Sequence, residues 1–273
     1  MLHQEFDSPE TLRDTIKCFW YDKRETGDSG AEFDVMPDGS AEIIFYFGVL
    51  YSKSYYAGQQ PLPSPFIMGL LNEPAAFYTK NTLEIISVRC FPWTVFDLLN
   101  LPSGNDRVRF FEHPIAQLQA TLQDLVNVQK IDGAVNVLQE YFLNVRAEVA
   151  VDRQMLSKAG TAMQEANGTK PVSEVAAAAH ATVRTLERNF KQSSGHTVKD
   201  VSALIRFEQV RNQLWIDPDA NIAGLAYEFG YTDQSHLSRE FKKFSGTTPA
   251  AFARKARKSR RVFSSDFVAF VQS

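Results

Sequence analysis

The sequence predicts an α+β chain of two domains. The N-terminal one is a small β-barrel or sandwich with following helices; the C-terminal one is all-α, with two helix-turn-helix motifs joined by a long helix. Three observations predict it. Apolar residues form short β-branched and aromatic runs up to about residue 110, then recur three or four apart. A polar break, Asn167-Gly168-Thr169-Lys170-Pro171, interrupts the helical part. One short helical unit occurs twice, about 51 residues apart. The expected division is 1–149, 150–262 and a tail at 263–273.

In the first part, Ala41-Glu42-Ile43-Ile44-Phe45-Tyr46-Phe47 and Leu83 to Phe91 read as strands. Pro37-Asp38-Gly39, Pro61, Pro63, Pro65, Gly69 and Pro74 punctuate the stretch around them. The period then lengthens. Ile115, Leu118, Leu122, Leu125 and Val128 share one helix face, and Val135, Leu138, Phe142 and Val145 another. A third helix carries Leu156, Ala159 and Met163.

The two copies align as Leu186-Glu187-Arg188-Asn189-Phe190-Lys191 and Leu237-Ser238-Arg239-Glu240-Phe241-Lys242. Ser194-Gly195 matches Ser245-Gly246, and Thr197 matches Thr248. In the first copy, Ser173 is expected to cap a helix of small residues. His180-Ala181 then turns, Thr182 caps the next helix and Gly195 ends it. In the second, Ile222 to Ala226 opens a helix, Gly230-Tyr231 turns, and Asp233 or Thr232 caps a helix running to about Phe244. Leu186, Phe190, Leu237 and Phe241 face the core; Arg184 and Arg188 share another face. Val198 to Leu214 keeps helical spacing and forms a stiff connector.

Charge divides along the same line. Residues 171–261 carry 15 Lys and Arg against 9 Asp and Glu, a net +6; residues 1–170 carry 14 against 22, a net −8. A basic helical module on an acidic partner suits nucleic-acid binding. No stretch approaches the ~20 apolar residues that span a bilayer, and the N-terminus lacks signal-peptide regions. Cys18 and Cys90 form no CxxC pair, so a cytoplasmic protein with free thiols is expected. The five histidines lack metal-ligand spacing, and no nucleophile motif is present, which disfavours a DNA-targeted enzyme. No metal or cofactor is expected.

The second unit, with Ile222-Ala223, Gly230-Tyr231, Ser235, Leu237-Ser238-Arg239, Phe241-Lys242, Gly246, Pro249 and Phe252, resembles the signature of the AraC/XylS family of bacterial transcription regulators. The first is similar to that family's upstream helix-turn-helix in Leu186, Arg188, Phe190 and Gly195. The resemblance implies a sequence-specific regulator of double-stranded DNA, with two recognition helices in adjacent major-groove segments. RNA polymerase is an implied further partner. The implied DNA-contacting positions are Arg184, Glu187 and Arg188, and Gln234, Ser235, His236 and Arg239. Their chemistry agrees: Arg bonds guanine O6 and N7 together, and Gln does so with adenine N6 and N7. Lys191, Lys242 and Lys243 suit phosphates. Glu187 could accept from cytosine N4 or pair with Arg184 or Arg188.

Residues 10–110 are similar to the N-terminal domain of one subset of these regulators. Phe19-Trp20, Met36-Pro37-Asp38-Gly39, Gly69 and Val88-Arg89-Cys90-Phe91-Pro92 carry that likeness. It implies a β-barrel that binds a small-molecule effector; the alternative is a domain that only mediates protein association, with no small ligand. Trp20, Glu42, Tyr46, Tyr55, Tyr56, Arg89 and Trp93 are the candidate pocket, with Arg89 suited to an anionic ligand. The competing reading makes the aromatics core residues and Arg89 a partner of Glu42. The stripes of 114–148 either form a homodimer surface or pack over the barrel.

Overall fold

The computed structural model describes residues 2–53, 60–101, 107–148 and 155–260. Seven strands come first: β1 (Leu2–Asp7), β2 (Ile16–Glu25), β3 (Ala31–Val35), β4 (Ala41–Ser52), β5 (Phe66–Met68), β6 (Ala75–Cys90) and β7 (Val108–Arg109). They make one antiparallel sheet in the order β1-β2-β6-β4-β5-β7, with β3 also paired to β6. The long β6 is its spine. Its first half holds β3, its second half holds β2, and β4 runs along its other edge. The β4–β6 register slips between Phe47 and Val49, where Gly48 takes φ 121° and a side chain would strike the Thr82 carbonyl. Among the described residues no pairing joins β1 to β7, the two ends of the strand path.

Along β4 both faces of the sheet are buried, which is why this strand is almost continuously apolar. Ile43, Phe45 and Phe47 point to one face; Ile44 and Tyr46 point to the other. The first face is roofed by α2 (Leu118–Asn127), preceded by a 3-10 turn at Pro114–Gln117, and by α3 (Ile131–Glu148). Leu122, Val126, Val135, Leu138 and Phe142 pack there with Phe19, Tyr21 and Ile86. The stripes of 114–148 are therefore used within the chain. The second face gathers Trp20, Phe33, Ile44, Phe66, Met68 and Phe77 into a core of the sheet's own side chains.

After α1 (Thr94–Leu99), α2 and α3, the chain is helical: α4 (Met155–Glu165), α5 (Val172–Ala178), α6 (Val183–Ser194), α7 (Val198–Ile216), α8 (Ile222–Glu228), α9 (Gln234–Ser245) and α10 (Pro249–Arg260). The break before α5 places Asn167 and Gly168 at φ 49° and 74°. Ser173 does not cap α5. Pro171 holds the N-cap position at φ −56°, and Ser173 falls inside the first turn. The strut α7 opens with a Thr197–Asp200 capping box and buries nine of its 19 residues, more than one face, seven of them in the helical core. Among the described residues no helix is long and apolar enough to cross a membrane. The expected boundary at 149/150 and the tail at 263–273 fall outside the described residues.

Among the junctions between the halves, two reach α6 and α7. Trp93, entering α1, stacks on Phe91 with centroids 5.2 Å apart and meets Phe190 of α6 edge-on at 5.8 Å. It lies over Gly160 of α4 and belongs to the helical core, whereas Trp20 and Tyr46 belong to the core on the sheet's second face. At the second junction, buried Arg211 of α7 donates to the Pro37 carbonyl at 2.9 Å. Lys17 of β2 pairs with Glu208 of α7 at 3.5 Å nearby.

Candidate nucleic-acid interface

The two helical units repeat in shape as well as in sequence. From Pro171 to His180 and from Asn221 to Gly230, each of the ten positions has the same degree of burial as its counterpart. The same holds for the twelve positions of α6 and α9. The first helices correspond at an offset of 50 and the second at 51, so the second turn is one residue longer. His180 (φ 52°) and Gly230 (φ 70°) both take the left-handed turn conformation. Leu186, Phe190, Leu237 and Phe241 are buried, as their spacing requires.

Side-chain caps set where each second helix begins. Thr182 Oγ1 accepts from the Thr185 amide at 3.2 Å, and an Asp233 carboxylate oxygen accepts from the His236 amide at 2.7 Å. Asp233, not Thr232, is thus the cap. The bond from the His236 amide holds the Asp233 carboxyl below its ordinary pKa. Gly195 and Gly246 end the helices in the left-handed conformation at φ 77° and 71°.

On this frame the expected DNA-contacting residues divide into two groups. Arg184, Arg188, Lys191, Gln234, Ser235, Arg239, Lys242 and Lys243 are exposed. Arg188 and Arg239 hold equivalent places, as do Lys191 and Lys242. Lys191, Lys242 and Lys243 lie in the last turns of their helices, where a cation also suits the helix dipole. Glu187 and His236 are half-buried and have internal work. A Glu187 carboxylate oxygen accepts from the Val198 amide at 3.2 Å and so ties α6 to the start of the strut. His236 Nδ1 accepts from the Thr232 amide at 3.4 Å, and its ring meets Tyr231 edge-on at 5.3 Å, closing the longer turn.

The second unit has its own clamp, which sequence reasoning missed. Arg206 of α7 donates to both carboxylate oxygens of Glu240 on α9, at 3.3 and 3.2 Å. It also donates to the Gly168 carbonyl at 2.8 Å and lies against the Tyr231 ring. The strut thereby grips α6 and α9 by different carboxylates. Val183 also escaped notice: it is the first residue of α6, 43% exposed, at the place Gln234 holds on α9. Extending the 51-residue alignment by three positions would have found it.

The described members of the suggested effector pocket, Trp20, Glu42, Tyr46, Arg89 and Trp93, are not gathered around one cavity. Trp20 and Tyr46 lie buried on the sheet's second face, and Tyr46 donates to the Leu62 carbonyl. Trp20 lines a cavity of about 20 Å³ with Phe33, Ile44, Phe66, Phe77 and other apolar side chains. That is room for about one water-sized probe. Arg89 donates to Glu42 at 2.8 Å and has Asp38 at 3.6 Å and Glu5 at 3.7 Å. Burial raises Glu42 above its ordinary pKa despite Arg89. Burial would also raise Asp38, but Arg89, Lys17 and Arg211 hold it low. Arg89 is thus engaged by carboxylates of its own chain. Tyr55 and Tyr56 lie outside the described residues.

Comparison with known proteins matches residues 175–255 to a family described as a helix-turn-helix domain. Residues 4–106 match a family described as a domain of unknown function, DUF6597. An uncharacterized transcriptional regulatory protein of Bacillus subtilis, YesN, is 34% identical over 71 residues, 26% of this chain. The match spans only 19% of that protein's length. Among solved structures, unsaturated fatty acid-bound ToxT from Vibrio cholerae is 12% identical, with 86% of this chain and 94% of that chain covered and a TM-score of 0.48. The DNA-binding domain of AdpA, a global transcriptional factor solved with a target DNA, is 22% identical, covering 40% of this chain and 97% of that one at a TM-score of 0.37.

Proposed function

Through its helix-turn-helix domain the chain belongs to the AraC/XylS family of bacterial transcription regulators, and from that premise we propose that α6 and α9 are its two base-reading helices. They enter successive major-groove segments of one DNA site. Arg184, Arg188, Gln234, Ser235 and Arg239 face the bases; Lys191, Lys242 and Lys243 hold phosphates. Glu187 and His236 shape the reader from inside. One observation carries this reading: α6 and α9 expose and bury the same twelve positions and present Arg188 and Arg239 at equivalent places. The strut supports it. At ~1.5 Å per residue its 19 residues run ~28 Å, close to the ~34 Å between half-sites on one face of B-DNA.

Selection of bound fragments from random double-stranded DNA, followed by titration of the Arg239→Ala variant, tests the proposal. The expected result is a loss of ~1–3 kcal/mol on the selected site, with relaxed preference at one base step. Unchanged affinity for that site would remove α9 as a base reader.

The N-terminal half acts, in this proposal, through its junctions with the helical core. Among the described residues the cavity on the sheet's second face is about 20 Å³, which supports control by a bound protein, RNA polymerase among the candidates, over control by a small effector held there. A thermal-shift screen against metabolites decides between them: a saturable hit overturns the protein-only reading. The use of the 114–148 stripes within the chain supports a monomer over a dimer built there, although Val128 and Leu143 stay exposed. A dimer seen by light scattering at tens of micromolar, and lost on Leu143→Asp, would restore that surface.

A further inference from the structure

We propose that Val183 reads the 5-methyl group of a thymine in the half-site contacted by α6. The inference rests on α6 and α9 being the base-reading helices. Among the described residues Val183 is the one large apolar side chain exposed on either helix. It stands in the first turn, the part of a recognition helix that reaches base edges. Its place is fixed from behind by the Thr182 cap. It adjoins Arg184 and matches Gln234 on α9 in position and exposure. Glu187, one turn further along the same row, spends its carboxylate on the Val198 amide.

The side chain suits that task. A β-branched residue in a helix keeps essentially one χ1 rotamer, so its methyls lose little freedom on docking. In the major groove thymine alone among the four bases presents a methyl group, and a valine methyl can cover it without any polar partner. Gln234, at the matching place, suits adenine instead. The two half-sites therefore share a guanine, read by Arg188 and Arg239, and differ at the position set by Val183 and Gln234.

The test uses the full chain and the site it selects from random double-stranded DNA. Each thymine is replaced in turn by deoxyuridine, which removes only the methyl. In one half-site a single replacement weakens wild-type binding about fourfold, the effect of one exposed methyl. The same replacement leaves Val183→Ala unchanged. Alanine at this exposed helical position favours the helix, so the variant folds. A wild-type protein indifferent to every replacement overturns the assignment of Val183 alone. So does a Val183→Ala protein that loses as much as wild type at the same thymine. A chain that selects no sequence at all overturns the reading of α6 and α9 from which the assignment starts, and the assignment with it.

Discussion

The indole of Trp93 fills the space that a side chain at Gly160 would need, so that a Cβ at this glycine would overlap the ring. Trp93 lies between β6 and α1 and Gly160 on α4, and the pair sets how closely this end of the sheet approaches α6. Gly160→Ala is expected to cost about 1–3 kcal/mol through overpacking. In a Trp93→Ala background the same substitution is expected to cost nothing or to stabilise. Urea midpoints of the four proteins measure the coupling. Equal penalties in both backgrounds would locate the cost elsewhere.

Arg206 and Glu240 form a second coupled pair, with side chains only 18% and 14% exposed. Arg206→Ala leaves the Glu240 carboxylate poorly partnered and frees α9 from the strut. A destabilisation of about 1.5–3 kcal/mol is expected, as for a charged hydrogen bond. Weaker binding to the selected site should accompany it, measured by fluorescence anisotropy. An unchanged DNA affinity in a correctly folded variant would show that the clamp does not position the helix.

The lysines should behave differently from the arginines. Lys242→Ala and Lys243→Ala are expected to weaken binding to all sequences alike and to lower the salt slope by roughly one counterion each. Titrations between 50 and 200 mM salt, the range in which counterion release dominates, read both effects. A variant that changes base preference while its salt slope stays fixed would place that lysine on a base edge.

Stability should also depend on pH through His3. Burial opposes its charge, but Asp22 and Glu5, at 3.8 and 3.4 Å, outweigh burial and bring its pKa up to about 9. An unfolded histidine titrates near ~6.5. The raised folded pKa means that the stabilisation is complete below that value and is lost as pH rises through 9. His3→Gln is therefore expected to lag wild type most near pH 6 and to match it above pH 10. Denaturant midpoints at the two pH values check this; a gap that ignores pH would remove His3 as its source.

What the sequence disclosed follows from the range of the forces involved. Caps, turns and the i, i+4 spacing of Leu186 with Phe190 and of Leu237 with Phe241 are local, so both helical units stood out. The ends of β4 and β6 were less clear, because residues buried on both faces lose the alternation that marks a half-exposed strand. Trp93 was misplaced for a further reason. Its partners, Gly160 and Phe190, are far along the chain, and no local period links them. Ser173 looked like a cap by residue type, yet the fixed backbone of Pro171 started α5 first. By sequence Glu187 reads as a DNA-contacting residue, because a carboxylate beside two arginines gives no sign that the amide of Val198 lies within reach.

The strut α7 is buried on more than one side and gripped twice, by Glu187 at its start and through Arg206 at its middle. A protein built this way is a fixed ruler. One base pair inserted between its half-sites would shift the second by ~3.4 Å and turn it by roughly a tenth of a revolution, further than a packed helix can follow. On the proposed reading, the sites it binds can drift letter by letter inside each half, but the interval between the two halves is locked.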